Sequence, residues 1–363
     1  MEIALRWESM ETSQQEFQQG NAPVPSGVKN FPYDERLSSW EMSELWVIYQ
    51  GNSSMKCILQ YFVATAQDPE IKALLNDFLN IILSNLNTMT NLFNSVGFPI
   101  PNGFNDEDVE LNTKRLYSDS LMLAYLRTIN KFGLIKLAFA LPLASRPDVR
   151  DYLTNAVVEA LNLLNKTEDL IAKKGIAVKP PYTPVPDSVN FVNGKNYIGG
   201  LLSKNRPLNV LECTQVFVRI ETKISVRAIL LGFAQVAKTK EVKAYLSKGD
   251  IFLGKEIEKM SSILIDEDLA TPRLWSSEVT DSTESPFSDK LMLFIIVSSL
   301  SFAFGANGFA LGNCIRTDLV ARFSKALLDL GVYGKEGLEL LIEKGWMEEI
   351  PPVADREKII GLH

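Results

Sequence analysis

A chain of 363 residues is long enough for two domains, each with a sizeable core. Hydrophobic residues at 46% and charged residues at 22% give an ordinary globular composition and exclude a disordered chain. The net charge of −7, with no Lys/Arg run, excludes nucleic acid as a partner, because phosphate recognition needs a basic face.

Residues 1–38 are polar, contain Gly, Pro, Ser, Asn and Gln, and lack periodicity. They read as a mobile arm, and their want of an apolar stretch argues against a secretory leader. The first helix is expected over Ser39 to Ala66, with Leu45, Ile48, Tyr49, Met55, Leu59 and Phe62 near 3.6 periodicity. A second follows Asp68-Pro69, a cap and first-turn pair, and ends at Gly97-Phe98-Pro99. After a loop carrying Pro101 and Gly103, Ser118 caps a third helix. A fourth begins near Asp148 and closes at Gly175, with prolines beyond.

The plan then repeats at roughly 208–237, 241–265, 287–314 and 317–344. Sliding the chain by about 170 residues aligns Tyr117-Ser118-Asp119 with Phe287-Ser288-Asp289, Arg146 and Asp148 with Arg316 and Asp318, and Phe104 with Trp275. The fold expected is therefore all-α: two tandem four-helix bundles over 39–183 and 208–353, a Pro- and Gly-rich linker over 184–207, and a tail over 354–363.

From Lys290 to Arg316 about 25 residues carry no charge, which by length alone would suit a membrane span. The counterpart stretch carries Arg127, Lys131 and Lys136, as a soluble amphipathic helix would. The repeat thus predicts a buried helix and no span.

Catalytic patterns are not found. The single histidine is His363, so the Glu-x-x-His set of a di-iron bundle is missing. Walker, dinucleotide and nucleophile-elbow motifs are likewise lacking. Cys57, Cys213 and Cys314 are far apart, sit in apolar contexts and read as core residues in a reducing compartment. Ser118-Asp119 and Ser288-Asp289 read as helix caps, Arg146/Asp148 and Arg316/Asp318 as salt links at helix entry. Phe104 and Trp275 are expected to pin their loop onto the bundle end. As metal ligands the candidates are Glu221, opposite Gln50 of the first copy, and Glu256, near Asn85; oxygen ligands would suit iron or manganese.

Several phrases resemble the DUF3231 family of Bacillus-type bacteria. They are Arg206-Pro207-Leu208-Asn209, Gly232-Phe233-Ala234-Gln235-Val236-Ala237, Glu278-Val279-Thr280-Asp281-Ser282-Thr283, Pro286-Phe287-Ser288-Asp289-Lys290-Leu291-Met292 and Gly345-Trp346-Met347-Glu348. The resemblance covers about 39–358. It implies ferritin-like bundles, a loose kinship with CotF-type spore-coat proteins, and histidines in similar sequences at the positions of Asn85 and Glu256, from which this chain departs. Glu221 keeps the family pattern.

The function expected is a non-enzymatic structural or interaction protein, cytoplasmic and spore-associated, with a protein partner or self-association. One alternative is a metal-binding or oxidoreductase bundle with a degenerate carboxylate site. The other is a carrier holding an apolar small molecule between helices.

Overall fold

Capping chemistry places the helix starts close to where the sequence puts them. The computed structural model describes residues 36–176, 179–200 and 205–361, so the expected arm lies outside it up to residue 35. Helix α1 (Ser39–Thr65) opens on a capping box between Ser38 and Glu41. The Asp68 carboxylate accepts from the Glu70 and Ile71 N–H groups ahead of α2 (Pro69–Ser95). Ser118 accepts from Leu121 N–H to start α3 (Asp119–Ala140). Helix α4 (Pro147–Lys173) is followed by Gly175 at φ +68°, the left-handed stop the sequence predicts.

The second copy follows the same plan. Asn209 and Glu212 form the capping box of α5 (Val210–Val236), α6 (Lys240–Ile265) follows, and Ser288 caps α7 (Asp289–Asn313). Helix α8 (Thr317–Glu343) also ends before a left-handed glycine, Gly345. A short α9 (Arg356–Ile359) lies in the tail. Val210 follows Ser39 by 171 residues and Asp289 follows Asp119 by 170, so one residue is lost in the second copy's loop.

Each copy is two helical hairpins, α1–α2 with α3–α4, and α5–α6 with α7–α8. The copies join through the first and third helices of each: α3 packs on α5, and α1 on α7. Among the described residues there is no strand, only the isolated bridges Val109–Phe287 and Tyr117–Val279. These bridges exchange roles under the repeat. Glu110 N–H donates to Pro286 O at 2.8 Å, and its counterpart Thr280 N–H donates to Leu116 O at 2.9 Å. Ser288 N–H to Asp108 O and Ser118 N–H to Glu278 O, both 3.0 Å, form a second mirrored pair. Two counterpart pairs meet each other directly: Phe132 stacks on Phe302, and Lys114 pairs with Glu284 at 3.3 Å. This is the self-complementary geometry of a two-fold dimer, built inside one chain.

The loops therefore reach across. Phe104 and Trp275 are buried, as expected, but not solely against their own copy. Phe104 meets Phe294 of α7 at 4.8 Å, and Trp275 shares a cleft with Ala124 and Arg127 of α3. Tyr117 sends its hydroxyl to Ile229 O of α5 at 2.8 Å, over Gly232, where a Cβ would stand 2.5 Å from the ring. One apolar core runs through both copies, and a smaller one lies between the start of α1, the end of α2 and the start of α4.

Helix α7 is long and apolar enough to cross a membrane by length and hydropathy. In the fold it packs on α8, α5 and α1 but is only partly buried, with Phe309 exposed, so the fully buried helix that the repeat predicts is not what forms. Positions 127, 131 and 136 of α3, charged and ion-paired, are Val297, Ser301 and Ala306 in α7.

Candidate functional site

The carboxylates singled out in the sequence lie in two different settings. Glu221 of α5 faces the first copy. Arg127 of α3 bridges it to Glu168 of α4, with Nε 2.6 Å from Glu168 and Nη1 hydrogen-bonded to Glu221, while Lys131 stands 3.9 Å from both carboxylates. Burial works against the Arg127 charge, but the two carboxylates outweigh it and hold its pKa above the usual range. Burial pulls Lys131 the other way, to below the ordinary lysine value.

Glu256 of α6 is buried and lies 3.2 Å from Lys223 of α5 and 3.5 Å from Lys259. Both candidate ligands are thus neutralised by protein cations, which a metal would have to displace. Among the described residues no three His, Cys, Asp or Glu side chains gather as a ligand set, and His363 is outside them.

The other sequence features fall into structural roles. Ser118 and Ser288 cap helices, while Asp119 and Asp289 accept backbone N–H groups from the α1–α2 and α5–α6 turns, such as Asp68 N–H and Lys238 N–H. Arg146 pairs with Asp148 at 2.6 Å and Arg316 with Asp318 at 2.9 Å. The three cysteines are free and buried, and burial raises the thiols of Cys57 to about 12 and Cys314 to about 11. Such thiols are protonated and inert.

Sequence reasoning missed a partly open cavity of about 70 Å³ lined by α5 to α8 of the second copy and by the Phe132–Phe302 stack. Its walls are mostly apolar, including Leu230, Ile296, Leu330 and Tyr333, but Arg219, Lys223 and Asn307 also line it. Asn307 is 2% exposed; its Nδ2 donates to Ala303 O at 2.7 Å and its Oδ1 has no partner. Arg219 Nε is buried without a partner as well. Burial lowers the pKa of Arg219 and of Lys223. The available signal was the repeat itself: these three positions align with Ile48, Asn52 and Leu137.

An all-α chain of two tandem copies, joined by an internal pseudo-two-fold seam, is the class these features define. The chain belongs to the family described as "Protein of unknown function (DUF3231)", whose model matches residues 25–189 and 197–359. A solved structure of a "putative spore coat protein" from Bacillus halodurans C-125 is similar at 17% identity. The match covers 40% of this chain and 94% of that one, with a TM-score of 0.36. No curated protein matches the chain.

Proposed function

We propose that this chain is a non-enzymatic structural or interaction protein that associates with a second copy of itself through the outward face of α7, with ferritin-like bundles at 39–183 and 208–353 as its two halves. The observation that carries the reading is a row of glycines. Positions 305, 308 and 312 of α7 are all Gly, and a Cβ built on any of them meets nothing within 4 Å. Each glycine costs a helix interior about 1 kcal/mol relative to alanine, and no internal contact requires it. Small residues of this kind let a second helix approach closely. Phe309 stands beside them at 67% exposure, and Leu328 and Val332 of α8 are also exposed.

Sedimentation velocity over a range of concentrations tests this. The natural chain is expected to sediment as a dimer or larger species at micromolar concentration. Gly308→Leu, which fills open space without disturbing the core, should leave a folded monomer. A natural chain that stays monomeric throughout, or a Gly308→Leu variant that associates equally well, sinks the reading.

The spore association implied by the family resemblance belongs to the same proposal. Blotting spores and vegetative cells of the source organism checks it, and absence from every spore fraction removes it. A site for iron or manganese at Glu221 and Glu256 would have to release Arg127, Lys131, Lys223 and Lys259. Elemental analysis after exposure to those metals decides that alternative.

A further inference from the structure

We propose that the cavity of the second copy binds a short- to medium-chain carboxylate, with its tail among the apolar walls and its head group on Arg219. The site does not depend on the self-association described above.

The cavity is polar at one end and apolar at the other. Glu212 accepts a hydrogen bond from Ile315 N–H at 3.1 Å, tying the start of α5 to the end of α7. Arg219 lies seven residues along α5 from that tie, and Asn307 eight residues back along α7, so the two stand at one level. Lys223 is one turn further on. Leu230 and Ile296 line the opposite end, about 16 Å away along the helix axis at 1.5 Å per residue.

The charge of the polar end is unbalanced in a way that favours an anion. Lys223 and Lys259 share the single carboxylate of Glu256. The acid nearest Arg219 in sequence, Glu221, is engaged by Arg127 and Lys131 across the seam. The Glu221 charge also acts on Arg219, but Arg219 Nε is left without a hydrogen bond, and it lines the same cavity as Asn307, whose Oδ1 is also unmatched.

Neither group is needed to fill the interior, because the first copy has Ile48 and Leu137 at these positions. Unpartnered buried polar atoms are costly, and here two of them border the same cavity. A carboxylate would give the guanidinium its forked partner, and a water held with it would donate to Asn307. The volume of about 70 Å³ is roughly half of the 150 Å³ or so that admits benzene in an engineered apolar cavity. That limits the enclosed part of the tail to a few methylenes.

Isothermal titration of the full chain with hexanoate, 1-hexanol and hexylamine tests the site. Hexanoate is expected to bind at least tenfold more tightly than 1-hexanol, and hexylamine not to bind. Arg219→Ile and Asn307→Leu place the first copy's residues in the second, so both should fold with an unchanged or higher melting midpoint. Each should weaken hexanoate at least tenfold. Equal affinity for hexanoate and 1-hexanol overturns the anionic head group. Unchanged binding in Arg219→Ile overturns the assigned anchor, and no heat from hexanoate overturns the site.

Discussion

Glu212→Ala is expected to destabilise the chain by about 3–5 kcal/mol, the usual cost of removing one partner from a buried charged network. Glu212 is fully buried at the start of α5. Its carboxylate accepts the N–H groups of Asn209, Ile315 and Arg316 at 2.9–3.1 Å and a forked pair from Arg206 at 2.8 and 2.9 Å. Alanine would leave three backbone donors unmatched where the α7–α8 turn meets α5, and would leave the Arg206 guanidinium with only the Tyr197 and Pro207 carbonyls. Glu41 has the same position in the first copy, accepting from the N–H groups of Ser38, Ser145 and Arg146 at 2.8–2.9 Å. Burial acts to raise its pKa, but these donors and the Ser38 and Ser145 hydroxyls bring it down to about 2.

A folded-state pKa below the unfolded one gives stability that is complete above the unfolded value of 4.5 and is lost as pH falls toward 2. Glu41 alone should account for about 3 kcal/mol of acid destabilisation over that window. Urea unfolding at several pH values measures it. Glu41→Gln should flatten the curve between pH 4.5 and 2, and an unaltered curve would exclude Glu41 as its source.

The helices that open on Ser38–Glu41 and Asn209–Glu212 are legible from apolar periodicity and the repeat, and their capping boxes satisfy donors within one turn. Their reach to the entry of the fourth helix is not legible, because nothing local records which distant backbone lies opposite. The same division holds elsewhere. Asp68-Pro69, Ser118 and Gly175 fix helix ends through their own backbone chemistry, and the structure places them there. The repeat was readable because the loop residues around Tyr117 and Phe287 serve the seam twice, once in each direction. That those loops cross to the other copy was not readable, since periodicity identifies a buried face without identifying its partner. Glu221 and Glu256 illustrate the limit at the candidate site: a carboxylate on an apolar helix looks the same in sequence whether it awaits a metal or meets Arg127 or Lys223. Arg219 and Asn307 had a signal only in their mismatch with Ile48 and Leu137, which reads as ordinary drift between repeats until a cavity appears beside it.

Gly337→Ala should destabilise the chain by about 2–3 kcal/mol, although the same change on an exposed helix face stabilises by up to about 1 kcal/mol. Gly337 lies under Tyr245 of α6, and a Cβ there would stand 2.6 Å from Tyr245 Cζ and from Val297 Cγ2. Tyr245 is held in place. Tyr245 stacks on Tyr333 with ring centroids 4.4 Å apart, and each hydroxyl donates to the other residue's carbonyl at 3.3 Å. Gly249 has the mirrored place under Tyr333. In the first copy the tyrosine positions hold Leu74 and Leu163, shorter side chains, and the glycine positions hold Phe78 and Thr167, so bulk has moved from one pair of positions to the other. The two tyrosines and two glycines thus form one packing unit, and enlarging one glycine without trimming a tyrosine forces the stack apart. Gly305→Ala on α7, whose Cβ meets open space, is the control and should raise the stability of the monomer. Chemical denaturation of both variants gives the result: opposite signs confirm that Gly337 is held by the tyrosine pair, and a neutral or stabilised Gly337→Ala shows that the α6–α8 contact can relax.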